Sequence, residues 1–384
     1  MNIVILSPHF PPSMTMFCRR LRELGATVLG LGDTAWEALR PELQAALSDY
    51  YRVDDMHDVD ALVRALGWFT HRHGRIDRLD SLNEYWLETE AALRQAFDIR
   101  GLRPDVIDRV KRKSVMKRVF ERAGIAVARG RVCRTPAEAR RFVAEVGYPV
   151  IAKPDVGVGA ASTYRIDRDD ELEAFLGAMP AFDFIFEECL SGEIVTFDGL
   201  VDRDGRVVMA VTMTYALPVL DVVSGADMTY WIARDIPPDL DALGRAVLAA
   251  FEVRERPFHF EFFRQPGRIV ALEVNMRQPG GLTVDMWNYG GDIDAYRAWA
   301  EIVVTGTARL PAERPYVVLY AGRRSDRGYR LSGAEIAARF GHLVVLHQRI
   351  DDVFASNIGN EGWILRAPEL EPLRAAAREI QEVA

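Results

Sequence analysis

The first hundred residues alternate between short apolar runs and longer stretches in which apolar residues recur at helical spacing. The apolar run Asn2–Leu6 predicts a strand, and the pattern that follows predicts a helix as far as Gly25. The later elements predicted in this part are a strand over Thr27–Leu31, helices near Ala35–Leu47 and Val59–His73, a weaker strand around Leu79 and a helix over Glu84–Phe97. Strands that alternate with helices predict a parallel sheet with crossover helices.

The pattern changes after Gly101–Pro104, where we expect a domain boundary. Asp105–Ala123 is predicted to be one helix rich in Arg and Lys. Thr135 begins a capping-box signature with proline at the first helical position. The helix that it starts is predicted to end at Gly147 and to lead into the strand Tyr148–Lys153. A second α+β stretch and a smaller C-terminal lobe complete the predicted order of elements.

Composition limits the class of protein. At 384 residues the chain is too long for one ordinary core, so about two to four lobes are expected. The formal net charge of −8 and the lack of a long Lys/Arg run disfavour binding to a nucleic-acid backbone. Three cysteines far apart in the sequence are neither a disulfide framework nor a zinc pattern. No signal-peptide pattern and no apolar run of about 18 residues is present, so we expect a soluble, cytoplasmic protein.

The most informative segment is a predicted β-hairpin. Two β-prone runs, Phe258–Arg264 and Ile269–Asn275, flank a Pro-Gly turn signal. Alternation along the strands and folding at the turn place Glu261 opposite Glu273 or diagonal to it. Like charges across a strand pair are destabilising unless a cation compensates them. Two carboxylates and the amide oxygen of Asn275 form an all-oxygen ligand set that suits Mg²⁺ or Mn²⁺.

The residues around this hairpin extend the same chemistry. Arg277 adds a planar donor for a phosphate or carboxylate, and Gly280 and Gly281 let backbone N–H groups approach an anion. His259 lies on the predicted metal face, either as a partner that supports a metal ligand or as a satisfied core histidine. An outer hairpin with ordinary solvated charges is the competing interpretation. The very apolar flanks and the paired glycines favour the functional one.

A small-residue loop follows Lys153, at the end of a predicted strand, and contains Gly157, Gly159 and Ser162. Such a loop can lay backbone amides on a polyphosphate, and the Ser162 hydroxyl adds a donor. A nearly buried lysine needs a counter-ion, which a phosphate would supply. The loop is neither a Walker A motif nor a Rossmann fingerprint, and taken alone it is better explained as a plain hairpin turn.

Two further signals are weaker. Lys113 lies in a basic helical segment, for which a solvated helix face and a role in nucleotide binding are about equally good explanations. The segment Phe186–Leu190 can form a hinge strand that offers backbone groups to adenine, with Glu193 accepting hydrogen bonds from ribose hydroxyls.

In this order along the chain, the features resemble the ATP-grasp superfamily, in its carboxylate–amine ligase branch, over about residues 1–310. The resemblance implies an α/β fold in which an N-terminal Rossmann-like pre-ATP-grasp domain precedes two α+β ATP-grasp lobes and a small C-terminal lobe. The implied divisions are 1–103 for the first domain, 104–185 for the small lobe with the phosphate loop, 186–310 for the large lobe with the metal site, and 311–384 for the C-terminal lobe.

The resemblance also implies a role for each matching residue. The family's ATP-contacting lysines match Lys113 and Lys153, its phosphate loop matches 157–163 with Gly157, Gly159 and Ser162, its adenine hinge matches Glu187, Glu188, Cys189 and Leu190, its ribose-binding acid matches Glu193, its metal ligands match Glu261, Glu273 and Asn275, and the arginine that steadies the transferred phosphoryl group matches Arg277. One departure is Arg112, which stands where the family often has an aspartate.

The implied reaction uses ATP with Mg²⁺, or Mn²⁺, to convert a small carboxylate into an acyl phosphate, which an amine then converts into an amide. Lys153 and Arg277 are the expected catalytic residues, and Arg277, Gly280 and Gly281 are expected to bind substrate. The carboxylate is expected to be an amino acid or a natural-product intermediate. The expected partners are these small molecules, not nucleic acid or membrane, and a homodimer is left open.

Three other functions remain open from the sequence. The chain could be a nucleotide-binding module without catalysis, or an enzyme that phosphorylates a carboxylate without joining it to an amine. A nicotinamide-dependent dehydrogenase built on the N-terminal sheet is the third. It lacks the Gly-rich fingerprint after the first strand and leaves the acidic hairpin unexplained.

Overall fold

The computed structural model describes residues 1–157, 162–179, 183–217, 222 and 225–384. Within these ranges the chain forms three β-sheets, with helices packed against them. The predicted phosphate-loop residue Gly159 lies outside the described residues. No helix in the described part of the chain combines the length and the apolar character that a membrane span requires.

The N-terminal sheet is parallel and has the strand order β3-β2-β1-β4. Its strands are β1 (Asn2–Leu6), β2 (Thr27–Gly32), β3 (Asp49–Arg52) and β4 (Arg78–Asp80). The helices of this part are Met14–Glu23, Pro41–Ala46, Val59–His73 and Leu87–Ala96, with single helical turns at Trp36–Ala38 and Glu84–Trp86. Alternate residues of β1 enter two different hydrophobic clusters, Ile3 and Ile5 on one side, Val4 and Leu6 on the other. Both faces of the sheet are therefore covered, and the predicted parallel sheet is confirmed.

Two elements of this part differ from the prediction. The region predicted as one helix over Ala35–Leu47 is interrupted at Arg40, whose backbone is extended (ψ 139°) because Pro41 follows it. Strand β3 was not predicted, since its four residues carry no apolar alternation that would distinguish them from a loop.

The predicted single helix Asp105–Ala123 is wrong, because the chain forms two helices, Pro104–Lys111 and Lys113–Arg122. The break is at Arg112, which has an extended backbone (φ −93°, ψ 114°). Asp155, from the loop after a distant strand, holds the start of the second helix. Its side chain accepts hydrogen bonds from the Ser114 backbone N–H (2.7 Å) and the Ser114 hydroxyl (2.9 Å). A tertiary contact therefore overrides the local helical pattern.

The second sheet is antiparallel and has the order β5-β8-β6-β7. Its strands are β5 (Gly130–Cys133), β6 (Val150–Pro154), β7 (Tyr164–Ile166) and β8 (Phe184–Glu188), and the helices on it are Pro136–Val146 and Asp169–Gly177. The predicted capping box is confirmed, since Thr135 and Glu138 bond each other's backbone N–H groups. The predicted phosphate loop connects β6 to β7, which are paired neighbours.

The third sheet is the largest and has the order β14-β13-β9-β11-β12-β15-β17-β16, with β10 paired to β9. Its strands are β9 (Glu193–Val201), β10 (Val207–Val211), β11 (Met213–Tyr215), β12 (Thr229–Ile232), β13 (Arg256–Gln265), β14 (Arg268–Asn275), β15 (Val317–Arg323), β16 (Val344–Arg349) and β17 (Glu361–Ala367). The described helices around it are Pro238–Ala250, Thr283–Gly291, Ala295–Thr305, Gly333–Phe340, Asp352–Ile358 and Leu370–Ile380. The segment after residue 310 thus contributes three strands to this same sheet.

Candidate active site

Three neighbouring strands of the large sheet carry polar side chains on one face, which we call the acidic face. Its residues are Asp198 on β9, His259 and Glu261 on β13, and Glu273 and Asn275 on β14. The alternate residues of the same strands point the other way, into a hydrophobic cluster that contains Phe197, Phe258, Phe260 and Val274. Because side chains alternate along a strand, an apolar core on one side forces these polar groups together on the other.

The register of the strands brings the two predicted metal carboxylates face to face. Glu261 is the direct partner of Glu273 across the β13–β14 pair, and His259 is the partner of Asn275. The predicted pairing of the two glutamates is therefore confirmed. Opposed carboxylates need a compensating cation, and three side-chain oxygen donors are available for it.

A divalent cation of the Mg²⁺ type fits this donor set, since the ligands are carboxylate and amide oxygens. No group of three or more His, Cys, Asp and Glu side chains in the described ranges is arranged to hold a metal by itself. The candidate set of Glu261, Glu273 and Asn275 includes only two such residues. Mg²⁺ prefers six oxygens and usually takes several of them from phosphates and water, so an incomplete protein shell is the form expected for a metal bound with a nucleotide.

His259 links two carboxylates of the acidic face. Its Nδ1 lies 2.7 Å from Asp198 Oδ1, and its Nε2 lies 3.0 Å from Glu261 Oε1. Burial opposes a charge on the ring, but the attraction of Asp198 and Glu261 outweighs it and raises the pKa of His259 to about 9. His259 is therefore charged at neutral pH, and it offsets part of the negative charge on this face.

Lys113 connects the acidic face to the predicted phosphate loop. Its ammonium lies 3.2 Å from Glu273 Oε1 and donates to the Gly157 carbonyl at 3.3 Å. The side chain is buried, so the alternative of a solvated basic helix face does not apply to it. Lys113, Glu273 and Gly157 are thus brought together from three separate stretches of the sequence.

Lys153 belongs to a second charged group, the lysine cluster, which consists of Lys117, Lys153 and Glu187. The Glu187 carboxylate receives Lys117 at 2.6 Å and Lys153 at 2.7 Å. Burial would raise the pKa of Glu187, but the two lysines outweigh it and lower the pKa to about 2. The sequence suggested that Lys153 needs a phosphate as counter-ion. Glu187 already provides one, but it does so for two ammonium groups at once.

Sequence reasoning missed Lys117, although a simple signal was present. The chain contains only four lysines among its 48 Lys and Arg residues, and all four are buried. Three of them are Lys113, Lys117 and Lys153, and the fourth, Lys111, donates to the backbone carbonyl of Glu84 at 3.0 Å. Arginine therefore supplies all the other basic side chains. Lysine, which has a compact ammonium group, occurs only at these four buried positions. Its rarity therefore marks residues 111–153 as a region of interest.

Arg277 meets a residue of the N-terminal part of the chain. Its Nε lies 3.4 Å from Glu84 Oε2, and its Nη1 donates to the Gln278 carbonyl at 2.8 Å. Burial raises the pKa of Glu84, although Arg277 acts in the opposite direction. The Ser13 hydroxyl also donates to the Gln278 side chain, at 3.2 Å. The N-terminal part thus contacts both Arg277, through Glu84, and the neighbouring Gln278, through Ser13, and the sequence pattern gave no indication of Glu84.

The two glycines beyond Arg277 lie at the start of the helix Thr283–Gly291. The Thr283 hydroxyl donates to the Gly280 carbonyl at 2.8 Å. Gly281 has a positive φ of 62°, and a Cβ there would lie 3.1 Å from Ile358 Cδ1. Glycine therefore suits this position on both counts.

The predicted hinge residues lie at the end of β8 and the beginning of β9. The Glu187 side chain is bound within the lysine cluster, and the Glu188 carboxylate accepts from Arg129 Nε at 2.7 Å. Both hinge carboxylates are therefore paired with basic side chains. The remaining predicted residues of this region are Cys189 and Leu190 just after β8, Glu193 at the first position of β9, and Ser162 just before β7.

Residues 146–285 match the family model of the ATP-grasp domain. The chain is 26% identical over 268 residues to the L-arginine-specific L-amino acid ligase of Bacillus subtilis, and the match spans 64% of this chain and 64% of that protein. The L-amino acid ligase structure from Bacillus licheniformis has a TM-score of 0.75, with 15% identity and coverage of 99% of this chain and 96% of that one. The N5-carboxyaminoimidazole synthetase structure from Staphylococcus aureus complexed with ADP has a TM-score of 0.74 and 13% identity. The match covers 98% of this chain and 96% of that one.

The chain therefore shares the fold of these two solved structures. Residues 146–285, the part of the chain that matches the ATP-grasp domain, contain Lys153, the hinge, the acidic face and Arg277.

Proposed function

We propose that this chain is an ATP-dependent carboxylate–amine ligase. The observation that carries the proposal is the direct opposition of Glu261 and Glu273, with Lys113 joining Glu273 to the Gly157 carbonyl. A metal site and a phosphate loop joined by one lysine are what the transfer of a phosphoryl group from ATP requires. The similarity to L-amino acid ligases supports an amino acid as the carboxylate substrate.

In this proposed function, the predicted residues bind the metal ion, the phosphates or the nucleoside. Glu261, Glu273 and Asn275 would hold Mg²⁺, which supplies charge neutralisation to the phosphates when it is bound. Lys113 and Lys153 contact phosphate oxygens, Gly157, Gly159 and Ser162 belong to the phosphate loop, and residues 187–190 with Glu193 take the nucleoside. We keep the division at residues 103, 185 and 310 as part of this proposal.

The proposed chemistry has two steps. A substrate carboxylate oxygen bonds to the γ-phosphorus as the bond to the ADP oxygen breaks, which gives an acyl phosphate and ADP. The amine then bonds to the acyl carbon, phosphate leaves with its bonding electrons, and the nitrogen loses a proton. Arg277 holds the oxygens of the transferred group, and backbone N–H groups near Gly280 and Gly281 meet the negative oxygen that forms on the acyl carbon.

The proposal is tested by incubating the protein with Mg-ATP, single amino acids and hydroxylamine. Hydroxylamine traps an acyl phosphate as a hydroxamate, so we expect hydroxamate, ADP and phosphate in equal amounts. Formation of AMP and pyrophosphate would instead indicate an adenylate and would overturn the acyl-phosphate route. Omitting hydroxylamine and supplying a second amino acid should give a dipeptide. ADP without any amide product would reduce the function to phosphorylation.

A further inference from the structure

The proposed reaction leaves two buried groups of the acidic face without a task, Asp198 and His259. Asp198 is fully buried and His259 is 4% exposed, and they are direct partners across the β9–β13 pair. The Thr196 hydroxyl donates to Asp198 Oδ2 at 2.6 Å and accepts from the Met213 backbone N–H at 3.1 Å. A chain of hydrogen bonds thus runs from the backbone of β11 through Thr196, Asp198 and His259 to Glu261.

Each contact in this chain fixes the next group. Thr196 occupies Asp198 Oδ2, so Asp198 Oδ1 is the oxygen that meets the ring. Carboxylates accept hydrogen bonds, so a ring that meets one at each nitrogen donates in both directions, and its plane is set by two partners. The second partner is Glu261 Oε1, at 3.0 Å. Among the residues that the structure describes, Glu261 is therefore held through Oε1 alone.

We infer that Asp198 and His259 are positioning residues that hold Glu261 by Oε1 and so leave Oε2 directed to a divalent cation. The inference rests on the proposed function, because it takes Glu261 to be a metal ligand. Without a fixed partner, the Glu261 carboxylate would turn away from Glu273, since like charges directly across a strand pair repel each other. Residues that hydrogen-bond to a metal-ligating side chain commonly fix its orientation in this way.

The two glutamates are supported differently, which sharpens the inference. Glu273 is held by Lys113, a residue with a proposed contact to ATP phosphate. Lys113 would then face a competing anion whenever nucleotide binds. The partners of Glu261 lie within the sheet and have no other proposed ligand. Glu261 is thus the carboxylate whose position does not depend on nucleotide.

The test is the affinity for Mn²⁺ in the presence of ADP, measured from the electron paramagnetic resonance signal of free Mn²⁺. Asp198→Asn removes a negative charge and places an amide donor among the acceptors, so the ring is held less firmly. We expect the affinity to fall by about 10-fold or more, the usual effect of removing a group behind a metal ligand. His259→Leu should lower the Mn²⁺ affinity by as much. His259→Gln keeps one donor for Glu261 and should lower the Mn²⁺ affinity by less.

His347→Gln is the matched control. His347 Nε2 lies 2.7 Å from Glu361 Oε1 on strands β16 and β17, so it is also a histidine–carboxylate pair of the large sheet, away from the acidic face. The Mn²⁺ affinity of this variant should equal that of the wild type.

In activity assays, Asp198→Asn should raise the Mg²⁺ concentration needed for half-maximal rate more than it lowers kcat at saturating Mg²⁺. A merely structural role would lower thermal stability and leave this concentration unchanged.

The outcomes separate this inference from the proposed function. If Glu273→Gln abolishes Mn²⁺ binding while Asp198→Asn and His259→Leu stay within twofold of the wild type, the positioning role is overturned and the metal site stands. If Glu273→Gln also binds Mn²⁺ normally, the metal site itself is wrong. Should Asp198→Asn fail to give a cooperative thermal melt, the comparison of His259→Gln with His259→Leu decides the question.

Discussion

The acidic face and the lysine cluster are both enclosed groups of charges, but their balance has opposite sign. On the acidic face three carboxylates, Asp198, Glu261 and Glu273, are met by the His259 ring and by Lys113. In the lysine cluster two ammonium groups share the single carboxylate of Glu187. Because unbalanced buried charge is costly, each group favours a ligand of the opposite sign. One side is suited to a divalent cation and the other to a polyphosphate, which is the pairing that Mg-ATP presents.

The largest effect is expected when a carboxylate is removed from the acidic face. Glu273→Gln should lower turnover by at least about 100-fold, since even groups behind a metal ligand commonly change activity by about 10- to 100-fold. Release of ADP from Mg-ATP measures it, and circular dichroism checks the fold. Glu371→Gln, an exposed carboxylate on the C-terminal helix, is the control and should retain full activity. Wild-type turnover in Glu273→Gln would exclude this residue as a metal ligand.

In the lysine cluster, Lys153→Met should weaken nucleotide binding and leave the carboxylates of the acidic face in place. A hydrogen bond to a charged group contributes about 1.5–3 kcal/mol, so the Kd for ADP should rise by about 10- to 150-fold. Titration with a fluorescent ADP analogue in Mg²⁺ measures the change. Arg122→Gln, an exposed cation at the end of the helix that carries Lys117, should leave the Kd unchanged. An unaltered Kd in Lys153→Met would remove the lysine cluster from the phosphate site.

The internal balance of the lysine cluster predicts a dependence of stability on pH. The folded pKa of Glu187 is lowered from 4.5 to about 2, so its contribution is present above pH 4.5 and is lost as the pH falls towards 2. Glu187→Gln leaves two buried lysines without their carboxylate and should cost about 3–5 kcal/mol at neutral pH. The difference between the wild type and this variant in free energy of unfolding should shrink on acidification. A difference that is constant from neutral pH to pH 3 would contradict the charged state of Glu187.

The smallest effect is expected from a residue of the same lobe that touches neither charged group. Thr135→Ala removes the capping box of the helix Pro136–Val146 and should lower the free energy of unfolding by about 1 kcal/mol. Nucleotide affinity should not change. Urea denaturation and the ADP titration test both statements, and a large loss of affinity would mean that nucleotide binding depends on the whole lobe and not on the cluster alone.

The acidic hairpin could be predicted because its signals are local. Alternation with period two and a Pro-Gly turn place Glu261 against Glu273 without any knowledge of the rest of the fold. The charge partners were not predictable in the same way. Lys117 and Glu187 come from separate stretches of the chain. They meet only when the second sheet, which contains β8, packs against the helix Lys113–Arg122. Sequence patterns show which strand face is polar, but they do not show which distant residue balances it.

The break at Arg112 gives the same lesson for secondary structure. Apolar spacing across this segment fits one continuous helix, and the interruption depends on Asp155 capping the second helix from another part of the chain. The break places Lys113 at a helix start, beside the loop and Glu273. Local periodicity therefore failed at a position with a proposed role in nucleotide binding, where tertiary contacts decide the backbone.

The central claim is that the acidic face takes the cation and the lysine cluster takes the phosphates of one nucleotide. Crystals grown with ADP and Mn²⁺, measured at a wavelength where manganese scatters anomalously, test it most directly. We expect a manganese peak between the carboxylates of Glu261 and Glu273, at distances near the roughly 2.1 Å typical of Mg²⁺, with ADP phosphates next to Lys153. A peak bound to neither carboxylate, or ADP phosphates away from Lys153, would contradict it.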